Sequence, residues 1–470
     1  MADAPPLARY VAEFMGTYLL VLTIGCNVLS GQPVWAGVSI ASVLMVMIYS
    51  LGKTSGGHFN PAVTIAVGLA GKMKETRYGG WKEVAIYIVV QLLGGIAAGV
   101  SYLVMFGKSF NLAPVGSFNW FQAGIAELIY TFMLCFVVLN VATSKKHAGN
   151  NQFYGLAIGF VIVAGAYSGG SVSMGCFNPA VAFGIDISSA YFGVKYSFVY
   201  AAFELVGAVV AVALFKACRP EERDTLDNNA GIPEPPLGCK LLSEFLGTFI
   251  LVTTIGLNIL TGSAAGAFSI AAALMCMIYA LGSISGAHFN PAVTTAVLVS
   301  NHTPLKPREG AFYMGAQVTA GICSGLVLRL FGVGEVEVSS AWWQIVFVEL
   351  VFTTVLALVV LSVATVRKSN AEYGAFAIGS CVTLGGFAAG KISGGALNPA
   401  VAIGLQGWGM FSAGVAPLLV YSITELLAGV FAAVLFAALQ PKEVTDGRKV
   451  VKMQEASTYA NQSAAGIIDP

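Results

Sequence analysis

The sequence predicts an all-α membrane protein with twelve spans, built from two similar halves. Each half is expected to hold six transmembrane helices and two re-entrant half-helices, arranged as an inverted repeat. The composition is the first reason: 57% of the 470 residues are hydrophobic and only 10% are charged, which excludes a soluble globular protein. The second is that Asn-Pro-Ala recurs at 60–62, 178–180, 290–292 and 398–400, with a period of roughly 110 residues.

Twelve apolar runs are long enough to cross the hydrocarbon core of a bilayer, which takes about 20 helical residues. They cover residues 10–30, 34–52, 84–106, 121–143, 153–169, 196–217, 241–261, 264–282, 311–331, 342–366, 373–390 and 415–439. We expect each run to form one helix, because an isolated span satisfies its backbone hydrogen bonds in lipid only in that way.

Shorter apolar stretches follow the Asn-Pro-Ala triplets, at residues 62–70 and 180–187 in the first half. Asn favours the helix N-cap and Pro favours the first helical position, so each triplet predicts a helix start. Non-helical backbone at membrane depth is tolerated only where protein buries it or where it lines a wet cavity. The stretches therefore predict re-entrant half-helices and a pore.

The two halves repeat each other. The run AEFMGTYLLVLTIGCNVLSG matches SEFLGTFILVTTIGLNILTG, and SGGHFNPAVT matches SGAHFNPAVT. This tandem duplication predicts a first domain at 1–217, a cytoplasmic linker at 218–238, a second domain at 239–439 and a cytoplasmic tail at 440–470. The polar composition of the tail predicts disorder.

Each half also contains an internal repeat. Glu13 and Glu127 open equivalent first spans, and the segment around Gln91 matches the segment around Glu204. Three spans separate the two copies, and an odd number of crossings inverts the second copy. The two half-helices of a domain should therefore enter from opposite faces and meet near the midplane.

The charges indicate orientation. The net charge is +1, which gives no indication of a nucleic-acid partner. Cations concentrate in alternate loops, which the positive-inside rule assigns to the cytoplasm together with both termini. They include Lys72, Lys145, Lys146, Arg219, Arg223, Arg367 and Lys368. The sequence predicts a multi-pass protein of the plasma membrane or an internal membrane.

No motif indicates an enzyme, a metal site or a cofactor. The eight Cys stand singly and mostly within spans, without metal-type spacing. We find no Gly-rich phosphate loop and no nucleophile paired with a base. The prediction is therefore a non-enzymatic protein without a cofactor.

The meeting of two half-helices has an electrostatic consequence. Each N-terminus carries a positive dipole end of about half an elementary charge, which disfavours cations and protons in a narrow pore. The amides of Asn60, Asn178, Asn290 and Asn398 can donate hydrogen bonds to a passing neutral oxygen. Small uncharged molecules are the expected permeants.

With these features together, the chain resembles two fused copies of the major intrinsic protein family, the aquaporins and aquaglyceroporins. The resemblance rests on HFNPAVT at 58–64 and 288–294, the AEFMGT and SEFLGT starts, Gln91, Gln317, and the acids Glu127 and Glu349. It covers nearly everything except the linker and the tail.

The resemblance implies a second constriction, a selectivity filter near the outer mouth of each pore. Its positions are Ile40, Ala166, Gly175 and Val181 in the first domain, and Ile270, Gly386, Gly395 and Val401 in the second. The family usually has Arg directly after the second Asn-Pro-Ala, where this chain has Val in both domains. The expected filter is therefore wide and apolar.

The resemblance also assigns roles to other residues. It implies that Glu13, Glu127, Glu244 and Glu349 support the re-entrant loops by accepting backbone hydrogen bonds, although an intramembrane acid is by default a functional candidate. It places His58 and His288 on the cytoplasmic side of the pore lining, where a pH gate is the alternative. Glu204 and Glu425 stand where the family commonly has Pro.

The expected function is a passive channel for water and small neutral solutes such as glycerol, urea, ammonia or hydrogen peroxide, with one pore per domain. The resemblance implies a homodimer in the bilayer that forms a four-pore pseudo-tetramer. It also assigns the pore motifs to the Asn-Pro-Ala triplets, which are Asn60, Pro61, Ala62, Asn178, Pro179, Ala180, Asn290, Pro291, Ala292, Asn398, Pro399 and Ala400. Two alternatives are a secondary transporter with proton coupling at Glu204 and Glu425, and a non-conducting structural membrane protein.

Overall fold

The computed structural model describes residues 4–32, 34–73, 80–223, 232–334, 340–369, 372–407 and 415–464. The regular structure of these residues is helical throughout. The helices of the first half are α1 Pro6–Leu29, α2 Ala36–Ser55, α3 Pro61–Leu69, α4 Gly80–Phe106, α5 Trp120–Val138, α6 Tyr154–Ser168, α7 Gly170–Ser173, α8 Pro179–Ser188 and α9 Lys195–Cys218.

The second half follows the same order, except that one helix stands in place of α6 and α7 and that a further helix is added at its end. Its helices are α10 Leu237–Thr261, α11 Gly266–Ser285, α12 Pro291–Ser300, α13 Pro307–Leu330, α14 Trp342–Ala364, α15 Gly374–Ser393, α16 Pro399–Gln406, α17 Ala416–Leu439 and α18 Pro441–Ala464. The four short helices α3, α8, α12 and α16 each begin at the Pro of an Asn-Pro-Ala triplet.

The all-α membrane fold class is confirmed. Among the described residues, eleven helices are long and apolar enough to cross a membrane, so the protein is an integral multi-pass membrane protein. The predicted run at 153–169 differs from the rest. It forms α6 with 15 residues, and a break at Gly169 separates it from the four-residue α7.

The tail does not follow the prediction of disorder, which is wrong for α18. Val444 is buried, and a Cβ at Gly447 would lie 2.5 Å from the carbonyl oxygen of His302, so this helix packs closely on the chain before it. Arg367 pairs with Glu443 at 3.4 Å and with Asp446 at 3.0 Å. The prediction of disorder is based on the polar composition of the tail, and composition alone does not reveal these specific contacts.

The chain forms two compact units. The first comprises residues 1–239, 253–285 and 327–334, and the second comprises 240–252, 286–326 and 335–470. The domain boundaries at 217 and 239 remain predictions from the sequence, and residues 224–231 of the predicted linker lie outside the described residues.

Within the first unit, α11 of the second half packs along α6 of the first half. Ser269 Oγ donates a hydrogen bond to the carbonyl oxygen of Ala164 at 2.8 Å, and the Cys276 thiol lies 3.1 Å from that of Ala157. The rings of Phe153 and Tyr279 stack with centroids 4.3 Å apart. Since α6 belongs to the first half of the sequence and α11 to the second, the first unit contains a helix pair formed between the two halves.

Arg219, at the end of this unit's α9 helix, is almost completely buried, with 1% of its surface exposed. Its guanidinium donates to Asn140 Oδ1 at 2.6 Å, to the carbonyl oxygen of Ala280 at 3.0 Å and to Ser283 Oγ at 3.0 Å. Glu221 neutralises its charge at 3.2 Å. The side chain thus joins α9 to α11.

We predict that Arg219→Ala lowers the free energy of unfolding by roughly 3 kcal/mol, because it leaves Glu221 and the buried acceptors without their donor. The thermal unfolding midpoint of the purified protein in detergent measures the loss. Arg223→Ala is the matched control, since Arg223 is exposed. Equal midpoints for the two variants would contradict the prediction.

Candidate functional site

The first candidate pore is built around the ends of two half-helices. Asn60 caps α3: its Oδ1 atom accepts the N–H of Ala62 at 2.8 Å. Asn178 caps α8 in the same way, accepting the N–H of Ala180 at 2.9 Å. Both caps leave the side-chain amide N–H groups available at the helix N-terminus.

The two N-termini meet, and each Asn binds the loop before the opposite one. Asn60 Nδ2 donates to the carbonyl oxygen of Phe177 at 2.8 Å, and Asn178 Nδ2 donates to that of Phe59 at 2.9 Å. An amide nitrogen carries two hydrogens. One N–H of each Asn therefore remains for a molecule in the pore.

The second unit repeats this geometry. Asn290 Nδ2 donates to the carbonyl oxygen of Leu397 at 2.8 Å, and Asn398 Nδ2 donates to that of Phe289 at 2.9 Å. Asn290 and Asn398 likewise cap α12 and α16 through Oδ1. All four predicted triplets thus take part in one arrangement, formed twice.

The backbone before each Asn is left-handed. Phe59, Phe177, Phe289 and Leu397 have φ between +50° and +52°, a region that costs roughly 1–2 kcal/mol for a residue with a Cβ. Two positions earlier φ is again positive, at Gly in three loops and at Ala287 in the fourth. Such strain persists only where the surrounding contacts hold it.

The contacts that hold the first loop converge on Glu13, which is fully buried. Its Oε1 atom accepts Ser55 Oγ at 2.6 Å and the N–H of His58 at 3.0 Å. Its Oε2 atom accepts the N–H of Phe59 at 2.7 Å and Gln91 Nε2 at 2.8 Å. One carboxylate thereby orders the non-helical segment before Asn60.

Glu127 has the same place in the inverted copy. It accepts Ser173 Oγ at 2.6 Å and the N–H groups of Cys176 at 3.0 Å and Phe177 at 2.7 Å. The loop before Asn178 is thus attached to α5 by three hydrogen bonds.

The second unit uses Glu244 and Glu349 in these positions. Glu244 accepts the N–H groups of His288 at 3.0 Å and Phe289 at 2.7 Å, and Gln317 Nε2 at 2.8 Å. Glu349 binds its own loop through Ser393 Oγ at 2.5 Å and the N–H groups of Ala396 at 3.1 Å and Leu397 at 2.8 Å.

Sequence reasoning missed the serines of this network. Ser55 and Ser173 each donate to the carboxylate and also accept the N–H two residues later, at Gly57 and Gly175. A signal was present, because Ser stands five residues before the Asn in all four copies, at 55, 173, 285 and 393.

A cavity of about 160 Å³ occupies the first unit beside these loops. Its lining includes Asn60 and Asn178, and all four predicted filter residues of the first domain: Ile40, Ala166, Gly175 and Val181. None of the described residues that line it carries a formal charge, and most are apolar. The filter positions and the Asn pair thus share one continuous apolar space.

The predicted filter of the second domain divides between the units. Gly386 lies in α15, Gly395 follows that helix with φ +62°, and Val401 is a buried residue in the first turn of α16. Ile270 lies in α11, in the first unit. This filter stays a prediction from the sequence.

The two histidines predicted to line the pores have equivalent surroundings. His58 Nδ1 lies 3.2 Å from Thr64 Oγ1, which itself donates to the carbonyl oxygen of Asn60 and accepts Gln91 Nε2. Thr64 has no further hydrogen to give, so we assign the ring proton to Nδ1. His288 pairs with Thr294 in the same way, at 3.1 Å.

Glu204 and Glu425 each contact the loop backbone directly. Glu204 Oε1 accepts the N–H of Asn178 at 2.7 Å, and Glu425 Oε1 accepts that of Asn398 at 2.9 Å. Both are fully buried. Each acid therefore binds the backbone N–H of the second Asn in its pair.

Apolar spanning helices, half-helices that meet at their N-termini and an uncharged cavity at the meeting point define a membrane channel. The chain belongs to the major intrinsic protein family, whose model matches residues 2–215 and 237–436, with further matches at 156–259 and 372–468. Members of this family are channels, so the protein is a passive membrane channel for water and small solutes and not an enzyme.

Several curated proteins are similar to one half of the chain. Nodulin-26 of Glycine max is 34% identical over 230 residues, which is 47% of this chain and 80% of that protein. A probable aquaporin NIP-type of Nicotiana alata is 31% identical over 228 residues, 46% of this chain and 80% of that protein. The aquaglyceroporin structure from Plasmodium falciparum aligns with a TM-score of 0.41 at 21% identity, over 46% of this chain and 99% of its own.

We predict that Ala287→Gly stabilises the protein by roughly 1 kcal/mol, because Gly adopts the left-handed backbone of this position at lower cost. The thermal unfolding midpoint should rise. Gly57→Ala is the matched reverse change at the equivalent position, where φ is +67° and a Cβ would lie 3.3 Å from Gly52 Cα. It should lower the midpoint, and a fall for Ala287→Gly would contradict the assignment of strain.

Proposed function

We propose that each half of the chain forms one pore, and that water and small neutral solutes such as glycerol, urea, ammonia or hydrogen peroxide pass it through a wide apolar outer filter. The observation that carries this proposal is the uncharged cavity of the first unit, which joins Ile40, Ala166, Gly175 and Val181 to the Asn60 and Asn178 pair. The repeated Asn geometry of the second unit supports the same assignment for the second pore.

The chemistry at the Asn pair suits a neutral oxygen or nitrogen atom. A permeating molecule exchanges part of its hydration for the free N–H groups of two amides, so the cost of desolvation falls. A cation meets these N–H donors there, together with two positive helix ends. We infer that the narrow centre of the pore selects against cations and protons without any charged side chain.

The outer filter sets the size of the permeant. Val181 and Val401 occupy the positions directly after the second triplets, and the predicted filters also contain the small residues Ala166 and Gly386. Without a guanidinium the opening loses both bulk and a fixed charge. Solutes larger than water are therefore expected to pass.

We predict that Val181→Arg with Val401→Arg suppresses glycerol and urea flux by about tenfold or more, equivalent to about 1.4 kcal/mol in the barrier. Stopped-flow light scattering on proteoliposomes measures water, glycerol and urea for the native and variant chains. Val181→Met with Val401→Met controls for side-chain length without charge.

The outcomes of this experiment separate the candidate functions. Fast native solute flux that the Arg pair suppresses supports the open filter. Water flux without solute flux would place the constriction elsewhere, and no flux at all would favour a structural protein. Accumulation of solute against its gradient would indicate a transporter.

We also propose that two chains assemble as a homodimer with four pores. In the first unit, Cys276 and Tyr279 of α11 are buried against α6. The duplication makes Val46 and Tyr49 of α2 their equivalents, and these are 44% and 39% exposed. The equivalent of α6 is α15, which presents Leu384 with 50% of its surface exposed.

These two faces match the paired faces of α6 and α11 by sequence position, so a second copy can repeat the same pairing.

We predict that Val46→Cys with Ala377→Cys, the equivalents of Cys276 and Ala157, forms an intermolecular disulfide under mild oxidation. Non-reducing gel electrophoresis measures the dimer. Val104→Cys with Val209→Cys, on other exposed faces, should give monomers; monomers from both pairs would contradict the dimer.

A further inference from the structure

Two fully buried acids each have one carboxyl oxygen for which the pore geometry described above supplies no partner. Glu204 and Glu425 give one oxygen to the N–H of Asn178 and Asn398. The other oxygen, Oε2, is buried in both residues and receives no N–H or O–H donor from the described residues. A buried carboxyl oxygen without a partner requires an explanation.

The neighbour of each acid is a second carboxyl group. Glu127 on α5 and Glu204 on α9 accept the adjacent N–H groups of Phe177 and Asn178, so their carboxyl groups are neighbours. Glu349 on α14 and Glu425 on α17 accept the adjacent N–H groups of Leu397 and Asn398 in the same way. A carboxylate has no hydrogen to donate, so two carboxyl groups form a hydrogen bond only when one is protonated. A hydrogen bond within either pair therefore requires one proton between the two acids.

The surrounding hydrogen bonds decide which acid is ionised. Glu127 accepts three donors, from Ser173, Cys176 and Phe177, whereas Glu204 accepts one, from Asn178. Donors stabilise the charged form of a carboxyl group. Of the two acids, Glu127 is thus the better site for the negative charge and Glu204 the better site for a shared proton.

The inverted repeat supplies an internal comparison. In the first loop, the position equivalent to Glu204 holds Gln91, whose Nε2 atom donates to Glu13 at 2.8 Å. In the second unit, Gln317 donates to Glu244 at 2.8 Å. At this position, the group that donates to the loop-binding carboxylate is a side-chain amide in both cases. A protonated Glu at the same position donates in the same way.

Among the described residues, no Lys or Arg acts on the charge of either acid. The groups that act on the charge of Glu204 are Glu127 and the backbone N–H of Asn178, and the thiols of Cys135 and Cys176 are its other titratable neighbours. In the second unit the corresponding groups are Glu349, the N–H of Asn398 and the phenol of Tyr421. Neither a Lys nor an Arg is among them.

We propose that Glu204 and Glu425 are neutral carboxylic acids that each donate a hydrogen bond to the loop-binding carboxylate and accept the N–H of the pore Asn. They are positioning residues: they fix Asn178 and Asn398 relative to Glu127 and Glu349 without adding charge to the membrane. The inference rests on the proposed channel function only for its effect on flux. The protonation state stands independently of what the protein conducts.

The test combines infrared spectroscopy with flux. The protein is reconstituted at neutral pH, and difference spectra are recorded for Glu204→Gln, Glu425→Gln and the double variant in the region of the protonated carboxyl C=O stretch, above the amide I band. Each single variant should remove one of two contributions, and the double variant both. Glu443→Gln is the control, because Glu443 pairs with Arg367 outside the pore and should remove nothing.

Flux of water and glycerol through the same preparations tests the positioning role. The double Gln variant should conduct like the native chain, since Gln donates and accepts at the same two places, as Gln91 does on the donor side. Glu204→Leu with Glu425→Leu, which cannot make either bond, should lower both flux and the thermal unfolding midpoint.

Two results would overturn the proposal. Unchanged spectra in the Gln variants would mean that both acids are ionised. A double Gln variant that loses its protonated band and also its flux, or a native chain whose solute uptake follows a pH gradient that the Gln pair abolishes, would assign the acids to proton transfer instead of positioning. Absence of flux in the native chain would defeat the channel proposal and leave the spectroscopic result valid.

Discussion

The structure depends on hydrogen bonds that buried glutamates accept from the backbone of the re-entrant loops. At membrane depth, water cannot satisfy the N–H groups of a segment that is neither helix nor strand. Glu13, Glu127, Glu244 and Glu349 supply this partner from the first helix of each repeat copy. Without them, the half-helices would have no fixed entry point.

The same bonds hold the strained residue before each Asn. Phe59 has φ +50° and its N–H is bound by Glu13, while its carbonyl oxygen accepts the amide of Asn178 from the opposite loop. Each loop is thus fixed by its own glutamate and by the other loop's asparagine. Because this reciprocity joins the two half-helices at their N-termini, displacement of one loop removes a partner from the other.

The sequence predicts the part of this arrangement that recurs. The four Asn-Pro-Ala triplets, the inverted order of spans and the glutamates at the helix starts all repeat, so periodicity reveals them. Contacts that occur once are not visible in this way: the packing of Gly447 on His302 orders a tail of polar composition, and the break at Gly169 shortens α6 to 15 residues. The serine five residues before each Asn recurs too, and its regularity could have indicated its hydrogen bond to Glu.

In the proposed pores, Val at the predicted outer filter shifts the work of selection toward the Asn pair. A guanidinium excludes cations through a fixed charge, whereas Val181 lines the cavity with an apolar side chain and adds no charge. At the Asn pair, helix ends and amide N–H groups supply a positive field, and these are partial charges fixed by the fold. In the proposed pore, ion exclusion then depends on how accurately Asn60 and Asn178 are held. That requirement gives a physical reason for binding Asn178 by its backbone to a second buried acid, Glu204, as well as by its side chain.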